Sequence, residues 1–133
     1  MLCLGASARG KQPVAFSKVP QIVQDTVLNH YLMEDVLLST RQKTQPRHYM
    51  YEFRTADGTK MLYTDKAVLI EASNKAGIQH SFLPAKVLNY VLEVFPNAVI
   101  TEYERSSMKQ EVELNNDIEL VFNKHGKFLR IDD

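Results

Sequence analysis

The chain has 133 residues, about one ordinary domain, and its 44% hydrophobic and 24% charged content is that of a globular protein rather than a disordered one. Lys plus Arg and Asp plus Glu both number 16, so the formal net charge is +0, without the basic excess that a general nucleic-acid binder or an anionic-membrane binder carries. A single Cys excludes an intrachain disulfide, and no apolar run approaches the roughly 20 residues that span a bilayer.

The chain opens with MLCLGASARGKQ. An apolar stretch followed by Ala6-Ser7-Ala8 is how a secretory leader ends, but the charged start is missing and the apolar part is short. Two readings stand: a truncated leader with cleavage after Ala8, or the loose tail of a cytosolic protein. Either way residues 1–12 are expected outside the fold, and 13–133 are expected to form a single domain.

From Pro20 the apolar residues Val23, Val27, Leu28 and Tyr31 recur at helical spacing, and Pro20 suits a first-turn position. The period then changes from about 3.6 to 2. Asp35–Gln42 reads as a strand; Tyr49, Tyr51 and Phe53 alternate; Ala56–Thr59 turns; Met61 and Tyr63 follow; Thr64–Ala67 turns again; and VLIEA closes the unit. Asp57-Gly58 between alternating runs is a strong hairpin signal. After the linker Asn74–Ser81 the same order returns. Pro84 opens a helix carrying Val87, Val91, Leu92 and Phe95, stopped by Pro96-Asn97-Ala98. Ala98–Arg105, then Val112 with Leu114, then Ile118, Leu120 and Phe122, then Lys127–Ile131 supply four strands, with Asn115–Asp117 and Asn123–Gly126 as turns.

The chain is therefore an α+β protein: a helix-plus-four-stranded antiparallel meander, duplicated over about 14–73 and 80–133. The two copies are expected to share one sheet, with the helices on one face.

The second copy is similar to the PepSY-like, beta-lactamase-inhibitor-like repeat. The residues that carry the likeness are Leu83-Pro84, Phe95-Pro96-Asn97-Ala98, Val112, Leu114, Leu120, Phe122, Gly126 and Ile131. The first copy matches more loosely, with Ala67 in place of the turn Gly. The resemblance implies a small exported protein, periplasmic or secreted, with no enzymatic role and an open sheet face that receives a protein partner. It also favours the leader reading of residues 1–12. The cadence is one of fold, and it does not carry over any target.

The residues themselves offer little chemistry. His30, His48, His80 and His125 show no metal-binding spacing. Ser106-Ser107 lacks a nucleophile-elbow context, and the five Gly are dispersed rather than gathered into a phosphate loop. Neither a cofactor nor an enzyme is expected. Alternation places Tyr51, Phe53, Val112, Leu114, Leu120 and Phe122 toward the helices. The opposite face then carries Met50, Glu52, Arg54, Lys60, Leu62, Glu111, Glu113, Glu119 and Val121. Its plain reading is a solvated sheet face. Its functional reading is a platform for a protein or peptide, with Met50, Glu52, Arg54, Leu62, Glu111, Glu113, Glu119 and Val121 as contact residues. No nucleic acid and no membrane insertion are expected. The alternative is a small-ligand carrier with a pocket between helices and sheet, drawing on Tyr49, Tyr51, Tyr63, Met50 and Met61.

Overall fold

The computed structural model describes residues 10–132. Ala6-Ser7-Ala8, on which the leader reading rests, lies outside them. The chain divides between Val68 and Leu69 into two compact units.

In the first unit, strand β1 (Gln12–Pro13) pairs with β2 (Val36–Gln45), β2 with β3 (His48–Thr55), and β3 with β4 (Lys60–Thr64), all antiparallel. Helix α1 spans Gln21–Val27 and buries Val23 and Val27 completely. Apolar side chains arrive at period 2 from the strands and at helical spacing from α1, so both elements bury one face against the other. Phe53, Met61 and Tyr63 fill the strand side of this core. Phe16, in a 3₁₀ turn ahead of α1, meets Phe53 edge-on at 5.8 Å. The Asp57-Gly58 hairpin is tied back to the helix side. The Tyr31 hydroxyl donates to Asp57 Oδ2 at 2.9 Å and bonds Thr59 Oγ1 at 2.8 Å.

In the second unit β5 (Leu69–Ser73), β6 (Ile100–Arg105), β7 (Lys109–Leu114), β8 (Glu119–Asn123) and β9 (Phe128–Asp132) form successive antiparallel pairs. Helix α2 (Ala85–Val94) buries Val87 and Val91. Tyr90 of α2 stacks on Phe128 at 4.5 Å and meets Phe122 edge-on at 5.5 Å, which places the helix over that face of the sheet. Val112, Leu114, Leu120 and Phe122 are all buried on it.

The duplicated helix-plus-meander is thus present, and all eight strands read from the sequence exist within a few residues of their expected bounds. Three points differ. Lys11 and Gln12, assigned to the tail, belong to the fold: Gln12 pairs with Arg41, and the Lys11 ammonium bonds Glu52. Strand β1 carries no sequence signal because it is two residues long. Helix α1 ends at Val27 rather than Tyr31. With no Pro to stop it, the chain leaves by tight turns, His30 N–H to the Val27 carbonyl and Asn29 N–H to the Thr26 carbonyl. Strand β5, read from VLIEA, pairs with β6, Ala72 opposite Tyr103.

The turn positions of the two copies solve one problem differently. Gly126 takes φ 89°, which Gly adopts freely, and an added Cβ would meet Lys86 Cβ at 3.3 Å. Ala67 holds φ 66° at the matching turn, a left-handed backbone that is unfavourable for a residue with a Cβ. Replacing Ala67 by Gly removes about 1–2 kcal/mol of that penalty and returns part of it through a more flexible unfolded chain. A net stabilisation of about 0.5–1 kcal/mol is expected from denaturant midpoints. Phe122→Ala should lose about 3–5 kcal/mol by the same measurement, the usual cost of truncating a fully buried Phe.

Candidate functional site

The proposed contact residues fall into two sets, one on each unit, and the registers place each set on a sheet face away from the helix-side core.

On the first unit Thr40, Glu52 and Leu62 form one cross-strand row; Gln42, Met50 and Thr64 form the next; Leu38, Arg54 and Lys60 form a third. Glu52 does not serve as contact surface: it is only 6% exposed. The Lys11 Nζ at 2.7 Å and the Arg54 Nε at 3.0 Å close over its two oxygens. Burial alone would raise this carboxyl. Hydrogen bonds and charge from Lys11 and Arg54 outweigh it and hold the group below its ordinary range. This face therefore neutralises its own acid and keeps Arg54, Lys60, Met50 and Leu62 toward its surface. Beside Glu52, the Thr40 hydroxyl is buried with no protein partner.

The second unit behaves differently. Its registers stack carboxylates into two rows. The first runs Glu71, Glu104, Glu111, Val121, Arg130 across β5 to β9. The second runs Ser73, Glu102, Glu113, Glu119, Asp132. Directly opposed residues in antiparallel strands have Cβ atoms about 4.5–5.5 Å apart, close enough for like charges to repel. Seven acids thus occupy two adjacent rows. Among them Lys109 pairs with Glu111 at 3.4 Å and Arg130 with Asp132 at 3.2 Å. Val121, expected as an exposed contact, is fully buried on this face. Its cross-strand neighbours are Glu111 and Arg130.

Crowding acts on two groups. The Glu102 carboxyl is pushed up to about 8, first by a hydrogen bond to Glu104, then by burial, then by the charges of Glu104, Glu71 and Glu113. Glu119 is pushed up to about 7, first by a hydrogen bond to Glu111, then by burial, then by the charges of Glu111, Asp132 and Glu104. Like charges held close favour the protonated form of Glu102 and of Glu119.

Sequence reasoning reached Glu111, Glu113 and Glu119 but missed Glu71, Glu102, Glu104 and Asp132. Alternation around Tyr103 was the available signal for Glu102 and Glu104. Their alignment opposite Glu113 and Glu111 depends on inter-strand register, which one strand does not encode.

Elsewhere His48 Nδ1 and Asp65 lie 3.0 Å apart at the surface, and the Arg41 guanidinium sits 4.8 Å over the Tyr49 ring. His30 is shifted down by burial. Among the described residues no group of three or more His, Cys, Asp or Glu side chains is placed to hold a metal ion. Acids spread along rows of a sheet do not converge on one point as metal ligands must. Also among the described residues, no helix is long and apolar enough to cross a membrane. Two open surface clefts, of about 380 and 300 Å³, lie between 13–16 and 36–39 and around Phe95–Ala98 with Asn115 and Asn116.

A family model described as "Putative beta-lactamase-inhibitor-like, PepSY-like" matches residues 8–71 and again 49–130. Among solved structures, a Bacteroides thetaiotaomicron protein described as a "putative calcium-regulated periplasmic protein" is 25% identical. It superposes with a TM-score of 0.80 over 92% of this chain and 97% of its own. Two Bacteroides vulgatus proteins, each described as a "putative periplasmic protein", are similar at 22% and 20% identity. Their TM-scores are 0.81 and 0.80, over 92% and 93% of this chain and 97% and 100% of theirs. Comparison with curated proteins finds no match.

The opposite shifts of Glu52 and of the second unit's acids predict opposite pH effects. Glu52 is depressed in the fold, so its contribution is present at neutral pH and is lost as pH falls through its folded value. Glu102 and Glu119 are raised, so their contribution is complete below the unfolded value of 4.5 and is lost as pH rises through about 7 and about 8. Denaturant midpoints should therefore decline from about pH 5 to about pH 9, and the double variant Glu102→Gln, Glu119→Gln should flatten that decline.

Proposed function

The chain belongs to the PepSY-like, beta-lactamase-inhibitor-like family, and from that premise we propose that it is an exported, non-enzymatic binding module. Its working surface is the carboxylate-lined sheet face of the second unit, and the partner is a polypeptide segment rich in Lys or Arg. Export rests on the periplasmic descriptions of the three similar structures.

The observation that carries the reading is the double row of carboxylates fixed by the β5–β9 registers. Cross-strand repulsion works against folding, so a face built this way stores a destabilisation that a cationic partner relieves on docking. The mechanism is occlusion of the partner by a preformed surface, with no covalent step. The sheet supplies rigidity, so little ordering is needed when the partner arrives.

The first unit contributes less. With Glu52 closed under Lys11 and Arg54, that face is a self-neutralised surface, and Leu62 and Met50 are its apolar content. The carrier alternative retains one supporting observation: the Tyr63 hydroxyl is buried in the first unit's core without a protein partner. A bound water satisfies such a hydroxyl as well as a ligand does. The carboxylate rows have no comparably simple structural purpose, so the platform is preferred.

The test uses a defined probe. A deca-lysine peptide is titrated into the full chain at low and at high salt by calorimetry. Glu111→Lys with Glu113→Lys should weaken binding by on the order of tenfold. Asp25→Lys with Glu34→Lys changes net charge equally away from the face and should leave binding nearly unchanged. Added salt should weaken the wild type most, because exposed charges are screened beyond about 10 Å at ordinary ionic strength. Equal loss in both double variants would show a net-charge effect and overturn the platform.

A further inference from the structure

Strand β9 lies at the end of the second unit's sheet: it pairs with β8 and with no further strand among the described residues. The direction of its backbone groups follows from the hairpin before it. Asn123 donates its N–H to the Lys127 carbonyl at 2.8 Å and accepts from the Gly126 N–H at 3.0 Å, so Asn123 turns both groups toward β9. Alternation along β8 turns Val121 and Glu119 the same way and Leu120 toward β7. Leu114, whose N–H donates to the Ile118 carbonyl across the preceding hairpin, gives the same assignment from the β7 side. Arg130 and Asp132, opposite Val121 and Glu119, therefore place their backbone groups in the β8–β9 ladder. Ile131 between them turns its N–H and C=O to the open edge.

The side chains along that edge suit a second copy of the chain. Ile131 shares the helix-side face with Leu120, yet it is 49% exposed. Arg130 and Asp132 stand on the other face, about half exposed and opposite in charge. Leu129 is left over in the register shift between Val121 and Phe122, so it ends the regular segment, and its side chain is exposed. A lone charge on an edge strand guards against edge-to-edge pairing. An Arg and an Asp flanking one outward residue do the reverse in one arrangement. A two-fold axis through the Ile131 pair brings each Arg130 opposite the other copy's Asp132. An axis through Arg130 or through Asp132 would oppose like charges and would meet backbone groups already engaged with β8.

We propose that β9 is a self-association edge: two copies of this chain pair β9 with β9, antiparallel about Ile131, and join their second-unit sheets into one continuous sheet. The Ile131 N–H of each copy donates to the Ile131 carbonyl of the other. The two Ile131 side chains cover one another on the helix side. On the other face each Arg130 engages the second copy's Asp132, and so enters the row that already holds Glu113 and Glu119. Opposite charge is thereby added where the single copy opposes like charges. The contact is short, two main-chain bonds and two ion pairs, and belongs with small, exchanging interfaces. It goes beyond the platform reading and does not depend on it, because it uses the edge of the sheet and not a basic segment on its face.

The test is sedimentation equilibrium of the full chain at low salt, from about 0.05 to about 1 mM, where a dimer should form with a dissociation constant on the order of 0.3 mM. Ile131→Pro removes the outward N–H and leaves the β8–β9 ladder its bonds, a change an edge strand tolerates. That variant should stay monomeric at the highest concentration with its circular dichroism unchanged. Arg130→Asp and Asp132→Arg each set like charges opposite one another and should weaken association on the order of fivefold. The two changes together restore opposite charges and should bring association back to within about twofold of the natural chain. A natural chain that is monomeric up to about 1 mM overturns the proposal. So does association that survives Ile131→Pro, since the copies then meet elsewhere. If Ile131→Pro does not fold, the charge changes decide: single variants that associate normally, or a double variant that fails to recover, overturn it. Assemblies that keep growing beyond two copies also overturn it, because a two-fold edge closes at the dimer.

Discussion

The inter-strand register of the second unit is the constraint on which the surface depends. Successive side chains in a strand alternate between faces, so one register decides both sides of the sheet. Val112 must lie opposite Leu120, and Tyr103 opposite Val112, for the core under α2 to close. Once they do, Glu113 falls opposite both Glu102 and Glu119, and Glu104 falls opposite both Glu71 and Glu111. The apolar pairs are buried and the acidic pairs follow from them. A shift of one residue would relieve the acids only by placing Leu120 and Phe122 in water. Burial of side chains that size outweighs the repulsion of partly solvated carboxylates.

The two units show how one pattern diverges after duplication. Both bury two valines from a helix on the matching face of an antiparallel meander. The first unit adds a local network: Tyr31, Asp57, Thr55 and Thr59 bond around the hairpin, and Lys11 with Arg54 closes over Glu52. Hydrogen bonds and opposite charge there more than offset the burial of two carboxylates, since Asp57 and Glu52 are both held low. The second unit packs Tyr90, Phe122 and Phe128 together and ties Tyr103 to Gln110 across β6 and β7. Its sheet places Glu104 opposite Glu71 and Glu111, and Glu113 opposite Glu102 and Glu119. The difference explains why one face is electrostatically settled and the other is poised.

That poise fits a surface whose partner is separate from the fold. A protein that stabilises every charge internally leaves a partner little to gain. The first unit's face is of that kind. On the platform proposed above, stability and binding would pull in opposite directions on the second unit.

The sequence by itself determined the α+β class, the duplication, the eight main strands, the two helices and the division of each strand into inward and outward residues. All of these rest on local period and turn chemistry: Pro at helix starts, Asp57-Gly58, Asn115–Asp117 and Asn123–Gly126 in the turns. The tertiary structure decided what local period does not carry. It set β1, too short for a pattern, and drew Lys11 and Gln12 into the fold. It buried Glu52 and Val121, which alternation alone had placed on an open surface. It also joined Glu71, Glu102, Glu104 and Asp132 to the three glutamates already visible in sequence. The physical reason is common to all of these. Alternation fixes the face a side chain occupies, whereas its neighbours across the ladder, and hence its charge and exposure, depend on residues far away in the chain, 41 positions for Lys11 and Glu52.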